Sequence, residues 1–180
     1  MEQQSHASQD HELEKNQDQE QKQDQEPAQA PRVVIAGASG FVGRALAADF
    51  ERDGWEVVRI GRHEAVRWGD ADAITRAIDE AQVLINLAGK SVNCRYTDAN
   101  RNEILRSRVE TTSELRRAVA AAATPPRVWF NASTATIYRH ATDRPNTESG
   151  GELGKGFSVD VARSWERAFF AGELPRTRRV

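Results

Sequence analysis

The stretch Val33-Val34-Ile35-Ala36-Gly37-Ala38-Ser39-Gly40-Phe41-Val42-Gly43-Arg44-Ala45-Leu46 decides how this chain is read. Its first four residues are small or β-branched and apolar, which suits a strand covered on both faces. Gly37, Gly40 and Gly43 follow at the spacing G-x-x-G-x-x-G, and a helical pattern opens at Phe41. A tight turn out of a strand needs a residue that tolerates unusual φ. Bare backbone lets a pyrophosphate approach, and the first turn of the helix offers free N–H groups and partial positive charge. A third glycine lets the helix pack close to the strand. The alternative is a tight turn that holds no ligand. A strand before and a helix after the glycines favour a dinucleotide site.

Outward from this stretch, strand and helix patterns alternate. Phe41 to Asp53 is expected as a helix, stopped by Gly54. Trp55 to Ile60 reads as a second strand, Ala65 to Trp68 as a short third, and Ala71 to Glu80 as a helix with Ile74, Ala77 and Ile78 on one face. Val83 to Leu87 is the next strand. A long helix is expected from Asp98 to Ala123, with a stripe through Leu105, Val109, Thr112, Leu115 and Val119. Pro125-Pro126 ends it, Arg127 to Ala132 forms a strand, and Val159 to Ala171 a last helix. Such alternation predicts right-handed βαβ units and a parallel sheet. The fold class is therefore α/β, a Rossmann-like doubly wound sheet of order 3-2-1-4-5-6.

Upstream, residues 1–30 carry eight acids against two lysines, a net of −6, whereas the whole chain is −2, leaving +4 for residues 31–180. That tail is rich in Gln and lacks aromatic residues, so it has too little apolar surface to offset the entropy of ordering. It is expected to be a disordered tail before a domain over residues 31–180. The mild positive charge of the remainder fits an anionic ligand. No basic run with interleaved aromatics points to nucleic acid. No apolar run approaches the ~20 residues that span a bilayer, and the acidic N-terminus does not resemble a signal or transit peptide. Cys94 is the only cysteine, which suits a reducing compartment, and the expected location is cytoplasmic. His6 and His11 fall in the tail with no metal partners nearby.

The end of the second strand bears on cofactor choice. An acid there would bond the ribose hydroxyls of NAD. The chain has Gly61-Arg62 instead, and a guanidinium can bond a 2′-phosphate bidentately. NADP is expected over NAD, with Arg44 a second cation that either assists or is merely solvated.

Together, Gly37-Ala38-Ser39-Gly40-Phe41-Val42-Gly43, Asn86-Leu87-Ala88-Gly89 and Ser133-Thr134-Ala135-Thr136-Ile137-Tyr138 resemble the extended short-chain dehydrogenase/reductases. More narrowly, they resemble NAD(P)-dependent epimerase/dehydratases. Gly89-Lys90-Ser91, Arg95-Tyr96-Thr97 and Ser107-Arg108 resemble an epimerase-like subgroup, some of whose members are labelled cell-division inhibitors. The resemblance implies that Gly37, Ser39, Gly40, Phe41, Val42 and Gly43 hold the pyrophosphate. It implies that Asn86, Leu87, Ala88 and Gly89 pass near the adenosine ribose and diphosphate. Thr134 would hydrogen-bond the reacting oxygen and also touch the cofactor. The alternative for Asn86 and Thr134 is local satisfaction of turn backbone.

One departure limits the activity implied. The superfamily's acid/base pair is Tyr-x-x-x-Lys, and neither Tyr96 nor Tyr138 is followed by a lysine four residues later. Where the pair belongs, the chain has Ser158 and Ala162, with Glu166 in register with the family's helix. Tyr138 is the substitute proton donor to consider, its alternative being a structural phenol. His140 is a weaker general-acid candidate, and Arg95 and Arg108 are candidates for an acidic substrate or the cofactor phosphates. The expected function is thus epimerase or oxidoreductase chemistry on a nucleotide sugar or related carbonyl. The competing expectation is a cofactor-binding regulator, or a fragment, without turnover. Family members continue beyond the length of this chain, so the domain is expected to be incomplete at its C-terminus. The strand Arg127 to Ala132 would then expose an edge at Val128, Trp129 and Phe130 and invite self-association.

Overall fold

The structure is a computed structural model that describes residues 29–180. The expected tail lies outside the described residues apart from its last two positions. Six strands form one parallel sheet: β1 (Arg32–Ala36), β2 (Glu56–Gly61), β3 (Val66–Arg67), β4 (Val83–Asn86), β5 (Val128–Asn131) and β6 (Arg178–Arg179). Their order is β3-β2-β1-β4-β5-β6. Between them run α1 (Phe41–Arg52), α2 (Ala71–Ile78), α3 (Asp98–Ala121) and α4 (Phe157–Phe170), with a 3₁₀ turn at Ala135–Ile137. The order of the first five strands and of the four helices is that expected from the sequence; β6 is not.

The alternation along β1 shows how the layers are divided. Val34 and Ala36 join Ile60, Ile74, Ile78, Leu84, Leu115 and Trp129 in the core under α2, α3 and α4. Val33 and Ile35 point the other way, to Ala47 and Ile85 under α1. Both sets are fully buried, so β1 is apolar at every position from Val33 to Ala36 rather than at alternate ones. On β5, Trp129 is buried under the three-helix layer, whereas Phe130, facing the other side, is 43% exposed.

Two expectations are corrected here. The stripe on α3 is carried in its first half by Ile104, which is buried, while Leu105 and Val109 are only partly covered. Ile104, Thr112 and Leu115 meet the core because α3 crosses the sheet with that face inward. The second correction concerns the sheet edge. β5 is not an open edge, because Arg178 and Arg179 pair with Val128 and Trp129. Arg178 N donates to the Arg127 carbonyl, Val180 N to the Trp129 carbonyl and Asn131 N to the Val180 carbonyl, all at 2.9 Å. Three residues suffice because a parallel partner needs only alternate N–H and C=O groups to cover a four-residue strand.

Candidate functional site: a dinucleotide-type cleft

The carboxyl ends of β1, β4 and β5 open into one cleft of about 510 Å³. The turn after β1 supplies Gly37, Gly40, Phe41, Val42 and Gly43, and the segment after β4 supplies Leu87 and Val92. After β5 come Ala132, Ser133, Thr134 and Thr136. Ile104 and Arg108 of α3 and Ser158, Val161, Ala162 and Trp165 of α4 close the far wall. Open parallel sheets bind ligands in this position because β1 and β4 send their connections to opposite sides.

The three glycines of the turn do different work. Gly37 has φ +82°, and a Cβ there would lie 2.8 Å from the Leu87 carbonyl carbon. A Cβ at Gly43 would lie 2.5 Å from the Gly37 carbonyl oxygen. Both positions are closed by backbone, so any side chain would force the turn apart. At Gly40 the sole atom within 4 Å of a Cβ is the Gly37 oxygen, at 3.3 Å. Gly40 is therefore bare toward open space rather than against the fold.

The helix starts divide in the same way. Asp70 caps α2 by accepting from Ala73 N, and Thr97 caps α3 by accepting from Asn100 N. The helices α1 and α4 begin at Gly40 and Gly156, with no side-chain cap. The first turn of α1 holds no acidic residue. Its N–H groups are left to a ligand or water, the arrangement that suits a phosphate.

Arg108 projects into the cleft half-buried. Its Nη1 donates to the carbonyls of Lys90 at 3.1 Å and Ile104 at 3.0 Å, and its guanidinium lies 5.2 Å from the Trp165 ring centre. No carboxylate pairs with it among the described residues, and burial pushes its pKa below the usual arginine range. The guanidinium remains charged, so it is a fixed cation without a counter-ion. Beneath it, Thr112 Oγ1 accepts from Trp165 Nε1 and from Asn86 Nδ2, each at 2.9 Å. Asn86 Nδ2 also donates to Asn131 Oδ1 at 2.7 Å, and Asn86 Oδ1 accepts from Ala88 N at 3.1 Å. This network ties the ends of β4 and β5 to α3 and α4.

Of the residues expected to hold a dinucleotide, Gly37, Gly40, Phe41, Val42, Gly43, Leu87 and Thr134 line the cleft. Asn86 and Ala88 are buried beneath it, and the Asn86 amide is used in bracing the fold. Gly89 lies against the Arg108 guanidinium. Ser39 is exposed, and its carbonyl accepts from Arg44 Nη1 at 2.7 Å, so Arg44 braces the turn. Arg62 is exposed just past β2, next to the turn whose Gly37 N donates to Ile60 at 3.0 Å. Thr134 caps the 3₁₀ turn by accepting from Thr136 N at 3.2 Å, and its hydroxyl lies 3.0 Å from that of Thr136. Tyr138 and His140 line a neighbouring hollow instead.

Ser158 and Ala162 both face the cleft, which therefore has neither a phenol nor an ammonium at those positions. Beside them Ser133 Oγ donates to Glu166 Oε1 at 2.6 Å. Sequence reasoning passed over Ile104 and Trp165 as cleft residues. The signal was present: Ile104, Arg108 and Thr112 repeat at i+4 and so share one face of α3.

The family model for the NAD dependent epimerase/dehydratase family matches residues 33–154. Epimerase family protein ML0860 of Mycobacterium leprae is 34% identical over 164 residues, covering 84% of this chain and 52% of that protein. A crystal structure of human epimerase family protein SDR39U1 with NADPH superposes with TM-score 0.72 at 26% identity, covering 82% of this chain and 52% of that one. A nucleoside-diphosphate sugar epimerase from Corynebacterium glutamicum gives TM-score 0.60 at 31% identity, covering 78% of this chain and 30% of that one. The chain spans about half the length of the curated relatives it matches. The glycine turn, the β4 exit and the segment from Ser133 to Tyr138 all fall within the matched span, and the chain belongs to the NAD dependent epimerase/dehydratase family.

Proposed function

We propose that the cleft binds a nicotinamide dinucleotide, NADP in preference to NAD, and that the protein of which this fold is the nucleotide half acts on a nucleotide sugar or related carbonyl compound. The observation that carries the first part is Gly40. It stands bare toward open space at the uncapped start of α1, where a pyrophosphate needs both bare backbone and N–H donors. The backbone of Gly37, Ser39, Gly40, Phe41, Val42 and Gly43 would hold the pyrophosphate, with the fixed charge of Arg108 within the same cleft. Leu87, Ala88 and Gly89 would flank the adenosine side above Asn86, and Arg62 would take a 2′-phosphate. The NADPH in the human relative's structure supports the choice of ligand.

A nicotinamide dinucleotide supplies reversible hydride transfer when bound. The chain's own contribution is positioning. The Thr134 hydroxyl, within 3.0 Å of that of Thr136, would hydrogen-bond a reacting oxygen, and Tyr138, lining the adjoining hollow, is the candidate proton donor. A second reading, cofactor binding without turnover, is favoured by Ser158 and Ala162, which bring no acid/base group to the cleft. Self-association would use the outer side of β6, now the edge of the sheet. Sedimentation velocity checks it, and a monodisperse monomer removes it.

Fluorescence titration with NADPH and NADH tests the cofactor assignment. One charge-assisted contact from Arg62 is worth about 1.5–3 kcal/mol, so NADPH should bind about tenfold or more tighter, and Arg62→Asp should weaken or reverse the preference. Equal affinities in the unaltered protein would overturn the NADP assignment. NADPH oxidation in the presence of carbonyl substrates then separates the enzyme from the silent binder.

A further inference from the structure

Next to the cleft lies a second hollow of about 350 Å³, and the two share Tyr96, Thr136, Phe157 and Ser158 as common walls. We infer that this hollow is a subsite for the anionic end of the substrate, a carboxylate or phosphate on a small polar molecule whose reacting end lies at Thr134. The inference rests on the reading of the cleft as the dinucleotide site.

The charges lining the hollow are of one sign. Arg101, Arg139 and Lys155 line it, and no Asp or Glu does. Arg139 is already neutralised by ion pairs to Asp143 and Glu152. Arg101 is not. Its guanidinium is stacked 4.8 Å from the Phe157 ring centre and 5.5 Å from that of Tyr96, and its Nε donates to the Tyr96 carbonyl at 3.3 Å. The ring contacts and this hydrogen bond fix its plane and leave both terminal nitrogens without a protein partner among the described residues. Lys155 likewise has no ion-pair partner among them. A guanidinium held in place by stacking loses little further freedom when it takes up an anion, so the wall is pre-organised.

The backbone adds to the same field. Helix α4 starts in this hollow at Gly156, without a side-chain cap, and its 14 residues direct a positive end there. The acid in its first turn, Asp160, does not line the hollow. Thr136 and Ser158 stand at the junction, so a ligand lying across them has hydroxyl partners between its two ends. A neutral sugar would satisfy the hydroxyls and leave the cations unpaired.

Isothermal titration calorimetry of the full chain, at low salt, with D-glucuronate, D-glucose 6-phosphate and D-glucose tests the inference. At least one of the anions should bind about tenfold or more tighter than glucose, as expected for a charge-assisted contact, and the advantage should shrink as salt rises. Preference for glucuronate assigns a carboxylate, and preference for the phosphate ester assigns a phosphate. Lys155→Gln, at an exposed position, should cut the anion's affinity several-fold, and Arg101→Gln should do the same or more. Glucose binding as tightly as both anions, or anion affinities unchanged in both variants, would overturn the subsite. NADPH titrated alone reads the cofactor assignment separately. Its failure to bind removes that assignment, while the anion series in the same protein still decides the hollow.

Discussion

The first turns of α1 and α4 both line one cleft and are built to different standards. At α1, two glycines are locked by backbone at 2.5–2.8 Å, and the third is bare toward the cleft. The chain has spent its conformational freedom there on one shape. At α4, Gly156 has φ +101° with nothing within 4 Å of a Cβ, and the side chains that follow are Ser158 and Ala162. One end is a rigid turn with bare backbone and an uncapped helix start; the other leaves room, with Ser158 and Ala162 bringing no strong acid or base. The contrast separates the glycine turn from Ser158 and Ala162 at different walls of the cleft, so the proposed nucleotide binding and the proposed turnover can be tested apart. The helices α2 and α3, each closed by its own Asp70 or Thr97, show what a helix start looks like when no ligand is served.

The largest expected effect tests the rigid end. Gly37→Val places a β-branched side chain at positive φ against the Leu87 backbone, and we expect a loss of more than about 4 kcal/mol, enough to prevent folding. Circular dichroism and urea melts measure it; a stable, folded variant would mean the turn is softer than its contacts imply. Gly40→Val should instead fold, since its Cβ meets only one atom, yet lose NADPH affinity by about a hundredfold or more, because the side chain takes the space that bare backbone leaves for phosphate. If the folded variant binds NADPH normally, the comparison between the two ends fails.

A smaller effect is expected where the two walls are tied together. Thr112→Val removes the acceptor shared by Asn86 and Trp165 and leaves at least one buried donor unpaired, which costs about 1–3 kcal/mol by urea denaturation. NADPH affinity should fall with it, since the same network sets the position of α4 and of the Trp165 face under Arg108. A stability loss with no change in affinity would show that the walls are positioned independently. The smallest effect belongs to the self-capped helices. Asp70→Ala should cost about 0.5–2 kcal/mol of stability and leave NADPH binding as it was. A loss of binding there would show that capped and uncapped starts do not divide structure from ligand as proposed.

Much of this was legible in the sequence because it depends on local pattern. The run Val33 to Ala36, the glycine spacing and the alternation of strand and helix establish a parallel α/β sheet, and the order of β1 to β5 is that of the Rossmann arrangement they imply. The absence of Tyr-x-x-x-Lys was also plain, since it is a matter of which residues stand four apart. What the sequence could not decide were contacts between segments distant in the chain. That Asn86 is turned into the fold was settled by Thr112 and Asn131, which lie 26 and 45 residues away. That Gly40 rather than Gly37 or Gly43 is bare toward open space depends on the Leu87 backbone and on the curl of the turn. The pairing of Arg178–Arg179 with β5 shows the same limit, because three residues carry no periodicity to read. Propensity and spacing act within a segment and are written in the order of residues. Burial, counter-charge and open space are made where segments meet, and so Arg101, an ordinary arginine in sequence, stands out only in the folded chain, stacked on Phe157 and Tyr96 with no carboxylate paired to it among the described residues.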